Sequence, residues 1–442
     1  MFTRQQPAPG QPQRTQTPLR PIAKRRIWVI PILGIIACAA TAGAQSEDPL
    51  VIEQDTTPDL FDQLIKAASS GKVHLNNRLR FETVDQDGKD TANAFTNRLR
   101  LGYTSGDWRG YHFMVEFENL VTPFPNEYFV PGVQGDSSKA VVADPSGSEF
   151  NQAYLDYKSD EWDLHWRVGR QRIILDNARF VGNVGWRQLE QTFDAAKFDS
   201  NLGTETFDAS YIYMWNVQRI FGPDGKNFRS DSHLLHAAYT FNDHLKATGF
   251  AYFLDFDNSA ANSTQTFGLR LTGKHKFDPD GNLKLEYAGS FAAQQDYADN
   301  PTNYEAIYFD LNASVTSKGI GTFGVGYELL GSDDGTTAFR TPLATLHAFN
   351  GWADAFLATP ANGLQDISAF VATDLPWDVK GKLVYHKFIE DEGGDDLGQE
   401  IDVVLKKKIN SYWSVTAKAA IFEGDKGIAD RTKLWLQTTI TF

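Results

Sequence analysis

The sequence is almost without cysteine, poor in methionine, devoid of long apolar runs and short of positive charge, and each shortage excludes a class of protein. Its 442 residues include one cysteine and three methionines. No run reaches the roughly 20 apolar residues that a membrane-spanning helix needs, and the mean hydropathy of −0.38 rules out a bundle of such helices. Lys and Arg number 42 against 56 Asp and Glu, a net charge of −14. That balance excludes indiscriminate nucleic-acid binding, which needs a basic surface to neutralise phosphates. A disordered chain is excluded in turn by the 41% hydrophobic content. What is present in quantity is aromatic: 31 Phe, 16 Tyr and 10 Trp, beside 36 Gly. Aromatic and glycine-rich, methionine-poor chains lean towards β structure.

The amino terminus carries an address. Residues 1–20 are rich in Gln and Pro and hold no acid; Lys24-Arg25-Arg26 then precede an apolar stretch, Ile27 to Ala40, closed by Ala42-Gly43-Ala44. A basic region, an apolar core of about 7–15 residues and an A-x-A site describe a secretory signal peptide. The long lead before Lys24 suggests a start codon later than Met1. Cys38 follows Ile35-Ile36-Ala37, a poor lipidation signal, and it leaves with the segment 1–44. The remaining chain is then expected to have no internal disulfide, thiolate metal site or catalytic cysteine. Six basic residues and no acid leave with it, taking the net charge from −14 to −20. Residues 45–70 form an acidic lead and a short amphipathic helix: Thr57-Pro58-Asp59 opens it, and Leu60, Phe61, Leu64 and Ile65 share one side.

From 71 to 442 the pattern has period 2. Val73, Leu75, Leu79 and Phe81 alternate with His74, Asn76, Arg78, Arg80 and Glu82; Tyr111, Phe113, Val115 and Phe117 alternate with His112, Met114, Glu116 and Glu118. Trp162, Leu164, Trp166 and Val168 alternate with Asp163, His165 and Arg167, and Leu434, Leu436, Ile440 and Phe442 with Trp435, Gln437, Thr439 and Thr441. A soluble sandwich has strands of about 5–6 residues, whereas many segments here run about 10–13, enough to cross a bilayer at a tilt. About 18 such segments are present, with 16 as the alternative count. Connections after even-numbered segments are short, as in Pro279-Asp280-Gly281, and the long ones, 121–149, 173–189, 217–231 and 333–364, all follow odd-numbered segments. Short periplasmic turns, long external loops and an even strand count describe an all-β, antiparallel transmembrane barrel of the bacterial outer membrane. Tyr103, Trp108, Tyr111, Trp162 and Trp413 at segment ends fit the interfacial girdles. Phe442, in phase with the lipid face, resembles a terminal signal for the barrel assembly machinery.

The inward face carries the candidate chemistry. Asn77-Arg78-Leu79-Arg80-Phe81 and Asn97-Arg98-Leu99-Arg100-Leu101 place four arginines opposite the apolar rows, in one cluster if the hairpin register permits. Arg167, Arg170, Arg172, Arg179 and Arg187 crowd 161–190, with Glu82, Glu116, Glu118, Asp176, Glu190 and Asp194 among the acids. Guanidiniums take carboxylates bidentately, so lumen arginines suit an anionic permeant. The alternative is that arginines and acids merely neutralise one another across a wide lumen. The acids Asp333-Asp334 and Glu390-Asp391-Glu392 fall in connections, where they suit divalent cations at a lipopolysaccharide surface.

These residues carry a resemblance. Arg78-x-Arg80-x-Glu82 with Asn97-Arg98-Leu99-Arg100-Leu101-Gly102-Tyr103 resembles the first hairpin of the alginate export family. Gly169-Arg170-Gln171, Asp176, Arg179-Phe180-Val181-Gly182 and Trp186-Arg187-Gln188 through Asp194 resemble its central signature, and Thr341 to Asp366 its long external loop. The resemblance implies an 18-stranded barrel conducting an anionic polysaccharide outwards through an arginine-rich constriction. The inward face itself points to Arg78, Arg80, Arg98, Arg100, Arg170, Arg179 and Arg187 as pore contacts, with Glu82, Asp176 and Asp194 as acidic partners; His347, Phe349, Trp352 and Asp354 lie in a loop able to fold inward as a lid or to pack among neighbouring loops. A porin importing small anions or other nutrients is the alternative within the class; a surface adhesin or barrel hydrolase are the alternatives outside it. Gly319-x-Gly321-x-x-Gly324 matches a dinucleotide fingerprint, but no helix follows it. His233 and His236 fall on opposite faces of a strand, which speaks against a metal site, and no nucleophile motif appears. No cofactor is called for, and nothing in the sequence speaks to oligomeric state.

Overall fold

The computed structural model describes residues 60–442, apart from Asp224. The signal segment 1–44 and the acidic lead up to residue 59 lie outside the described residues. The chain begins with helix α1 (Leu60–Ser69) and continues into β1 (Lys72–Gln86), β2 (Ala92–Thr104), β3 (Tyr111–Val121), β4 (Gly147–Ser159), β5 (Leu164–Gln171) and β6 (Thr192–Ser200). β7 (Phe207–Gln218), β8 (Phe228–Asn242), β9 (Leu245–Leu254), β10 (Thr264–Lys276), β11 (Leu283–Asp296), β12 (Glu305–Ser317) and β13 (Gly321–Leu330) follow. A two-residue pair, β14 (Ser332–Asp333) and β15 (Thr337–Ala338), sits within the next connection. β16 (Leu364–Leu375), β17 (Val379–Ile389), β18 (Asp396–Lys408), β19 (Trp413–Gly424) and β20 (Arg431–Thr441) complete the chain.

Apart from β14 and β15, the strands form one 18-stranded antiparallel sheet in which each pairs with its sequence neighbours. β1 pairs with β20, from Asn76 opposite Thr441 to Gln86 opposite Arg431, and that pairing closes the barrel. Closure removes every sheet edge, which a bilayer demands because it offers backbone groups no water. The count is 18 rather than 16, and every expected segment is found. β8 begins at Phe228 rather than near 232, and β4 at Gly147 rather than 150.

The packing is inverted relative to a soluble protein. Phe81, Phe95, Leu99, Leu101, Phe113 and Phe117 are exposed to the surroundings of the barrel, while Arg80, Glu82, Arg98, Arg100, Glu116 and Glu118 are buried inside it. Short turns are built for their ends. Between β10 and β11 the Asp278 carboxylate accepts the backbone N–H groups of Asn282 and Leu283 at 3.0 and 2.8 Å, with Gly281 at φ +65°. Aromatic rings gather at the same end: Tyr111 lies 4.5 Å from Tyr157 and 5.7 Å from Trp108, and Trp166 lies 5.7 Å from Tyr157. Helix α1 docks there, the Gly106 N–H donating to the Ala67 carbonyl at 2.9 Å and the Tyr103 hydroxyl to that of Ala68. Of the glycines of the rejected fingerprint Gly324 has a packing role, since a Cβ there would occupy the space of the Phe370 ring, while Gly319 serves a turn at φ +80°.

Candidate pore constriction

The connection 172–191, between β5 and β6, crosses the lumen as a strap. Asp176, Ala178 and Val184 sit at positive φ, 50°, 65° and 50°, and turn the chain inward. It touches β8 where Asp176 meets His236 at 3.0 Å, β13 where Arg179 meets Glu328 at 2.6 Å, and β1 where Arg187 meets Glu82 at 3.3 Å. On β2 the Gln188 amide donates to the Thr96 hydroxyl at 2.7 Å, and on β4 Asn151 donates to Glu190 at 2.6 Å. Phe180 packs among Phe250, Tyr308 and Phe339, at ring distances of 5.0, 5.1 and 6.0 Å.

The first hairpin supplies the arginine cluster. Its register sets Arg78 opposite Arg98, Arg80 opposite Thr96 and Asn76 opposite Arg100, so the four guanidiniums share one patch of wall. An irregular strap inside a barrel leaves backbone carbonyls without ladder partners, and the cluster satisfies them. Arg78 donates to the carbonyls of Gly185, Trp186 and Arg187 at 3.2, 3.1 and 3.2 Å. Arg80 donates to the Trp186 carbonyl at 2.6 Å, lies 4.2 Å from the Trp186 ring centroid, and holds Gln437. Arg98 donates to the Gln188 carbonyl at 3.1 Å and to the Asn76 amide oxygen. Arg100 is the one member in close ion pairs, with Glu118 at 2.6 Å and Glu190 at 3.1 Å; Arg80 has only a looser one, Asp144 at 3.6 Å. Among the described residues, Arg78 and Arg98 form no ion pair.

The external connection 331–363 also folds inward and lies on the strap. Gly182 donates its N–H to the Leu343 carbonyl at 2.9 Å, Thr345 to that of Ala178 at 3.0 Å, and Val184 to the Thr345 hydroxyl at 3.1 Å. The buried His347 joins Asp354, 2.7 Å from its Nδ1, to Lys418, 2.6 Å from its Nε2. That geometry fits a neutral imidazole whose Nδ1–H donates and whose Nε2 accepts the ammonium proton. Burial, with Lys418 alongside, pushes His347 well below its ordinary value despite Asp354. Burial alone would raise Asp354, but His347, Lys433 and Arg187 outweigh it and hold the carboxyl well below the usual range. The Lys418 ammonium lies 3.7 Å from the Trp352 ring centroid and 4.3 Å from that of Trp186, and Lys433 meets Asp354 at 2.6 Å. Trp186 stacks on His347 at 5.1 Å. Phe349 covers the Arg179 guanidinium at 4.8 Å. All four residues expected in a lid therefore stand inside the barrel rather than above it.

Two expectations need correcting. Arg170 and Asp194 pair with each other, at 2.7 Å, but on the outside of the wall. Arg170 is in phase with the exposed Val168 and sits opposite the exposed Ala153, while its neighbours Gly169 and Gln171 take the inner phase. Among the described residues Asp176 holds no arginine; the left-handed turn at its own position aims it at His236. Glu82 meets Arg187 at 3.3 Å. Sequence reasoning missed Asp144, which lies 3.7 Å from Arg187 and accepts the Gln188 N–H at 2.8 Å. It missed Glu328 and Lys433 too, although the alternation places both on inner faces; nothing periodic marks Asp144, which lies in a loop.

A family model described as alginate export matches residues 41–329 of the chain. No curated protein matches it. Among solved structures, OccAB4 of Acinetobacter baumannii is similar with a TM-score of 0.67 at 14% identity, over 84% of this chain and 98% of that one. OpdL of Pseudomonas aeruginosa gives 0.63 at 16% identity, over 85% and 99% of the two chains. OpdK of Pseudomonas aeruginosa, solved with vanillate, gives 0.64 at 14% identity, over 84% and 98%. At such identities these three likenesses speak for the fold.

Proposed function

The chain belongs to the alginate export family and is an outer-membrane channel rather than an enzyme; from that premise we propose that it passes an acidic saccharide or its oligomers, favouring anions. One observation carries this reading: Arg78 and Arg98 face each other across the first hairpin with backbone and amide acceptors but no carboxylate. A carboxylate arriving in the lumen is a stronger acceptor than either, because both partners are then charged. Other cations of the constriction, Arg187, Lys433 and Arg100, are already matched by Glu82, Asp354 and Glu118. Selectivity thus rests on a local surplus, and a net charge of −14 over the whole sequence does not oppose it. The pore-contact role is assigned to Arg78 and Arg98 first, with Arg80 and Arg100 shaping the same patch and Arg179 and Arg187 fixing the strap.

A second reading, uptake of small organic acids, draws support from the strap and the folded-in loop, which narrow the lumen. OpdK, a relative in fold, was solved with such an acid. Reversal potentials across a planar bilayer in a salt gradient test both readings. Anion preference with current block by polyuronate is the expected result. Anion preference with block by small acids alone would favour the second reading, and cation preference would overturn both.

A further inference from the structure

On the external side of the constriction two cavities adjoin, of about 500 and 410 Å³. Arg219, Pro342, Leu346, Leu357 and Ala358 line both, which makes them lobes of one chamber. The lobes differ in chemistry. The larger is walled on one side by Pro131, Val141, Val184, Ile220 and Phe221, while Arg187, His347, Asp354 and Lys433 of the constriction also line it. The smaller is walled by Asn262, Thr336, Thr337, Thr341, Thr359 and Arg340. Between them stands Arg219, half-buried, 4.5 and 5.0 Å from the ring centroids of Phe228 and Phe221 and in no ion pair among the described residues. Arg431, at the edge of the larger lobe, gives Nη1 to the carbonyls of Ala353 and Asp354 at 3.0 and 2.8 Å, and its buried Nε has no partner.

A wall of hydroxyls and amides suits the hydroxyls of a sugar ring, each of which both donates and accepts. An apolar wall offers the hydroxyls of such a ring no partner and gains most when apolar surface covers it. An unmatched guanidinium between the two is suited to a carboxylate. We propose that this chamber receives an acidic saccharide unit bearing an apolar substituent, an aryl or acyl group. Its carboxylate meets Arg219, its hydroxyls face the threonine and asparagine lobe, and its substituent fills the other. The proposal rests on the saccharide reading above and narrows it to a substrate class.

The test is concentration-dependent block of single-channel current by glucuronate, benzoate, phenyl β-glucuronide and the uncharged phenyl β-glucoside. Phenyl β-glucuronide is expected to block at about tenfold lower concentration than glucuronate, the gain from burying one ring, and at lower concentration than benzoate or the glucoside. Ile220→Ser should erase the advantage of the phenyl group, and Arg219→Gln should erase the advantage over the glucoside. Equal block by glucuronate and phenyl β-glucuronide would overturn the proposal, as would equal block by benzoate or by the glucoside. Failure of the function reading looks different: the wild-type channel would prefer cations in a salt gradient. Equilibrium binding of the same four compounds to the purified barrel would then still decide the chamber's chemistry.

Discussion

The strap crosses between two walls that hold it by different means. Where it meets β1 and β2, Arg78, Arg80 and Arg98 reach the carbonyls of residues 185–188, beside the ion pairs Arg187–Glu82 and Arg100–Glu190. Where it meets β12 and β13, the strap supplies the cation and the wall the acid. There Arg179 reaches Glu328, with the Tyr308 hydroxyl donating to the same carboxylate at 2.7 Å, beside the Phe180 ring cluster. At the first wall Arg78 and Arg98 meet neutral acceptors only; at the second the charges close into a pair. On the proposed reading a permeant competes at Arg78, the partly exposed member of this set, without stranding a carboxylate. It cannot do so at the second, where breaking a buried pair strands its partner.

The comparison can be broken at several points. Arg179→Met strands Glu328 and should cost about 3–5 kcal/mol of strap docking. Limited proteolysis of 172–191 and a rise in open-state conductance would read this out. Arg179→Met with Glu328→Met should recover most of the loss, and a double variant as labile as the single would deny the pairing its role. Acidification should act next, through the inward loop. In an open loop His347 would regain a value near 6.5, whereas the buried ring binds its proton less readily. The closed form therefore keeps full stability above about pH 6.5 and loses about 1.4 kcal/mol per pH unit below it. Asp354, held low, adds its own loss only at more acidic pH. Conductance fluctuations that grow below pH 6.5 in the wild type and stay flat in His347→Gln would bear this out; identical profiles would not.

Gln188→Met removes the hydrogen bond to Thr96 and should loosen the first wall's grip by about 1 kcal/mol, seen as a small fall in thermal midpoint. Asp176→Asn, at a partly exposed pair with His236, should change stability by less than about 1 kcal/mol. A larger loss there would mean that the β8 contact matters as much as the two main walls.

Strands were legible in the sequence and the strap was not, for one physical reason. In a barrel every second residue faces lipid, so the period-2 pattern is enforced along each strand, and turn length alternates because only one end faces the outside. That pattern puts Arg78, Arg80, Arg98 and Arg100 on the inner face, whereas the register that gathers them is set by the hairpin itself. A loop folded into the lumen obeys no period; its path is set by contacts such as Thr345 on Ala178 and Asp144 on Gln188, far apart in sequence. Arg170 is the instructive case. Its phase put it on the outer row with Val168, yet its charge and its place in a recognisable signature argued for the lumen, and phase was the better guide.

The most direct test of the account is the ion selectivity of the channel carrying Arg78→Glu and Arg98→Glu, measured as reversal potential beside the wild type and the corresponding glutamine pair. The account predicts anion preference in the wild type, a weaker preference with glutamine and cation preference with glutamate. Three channels of equal selectivity would contradict it, because the unmatched guanidiniums of the first hairpin would then have no part in choosing the permeant.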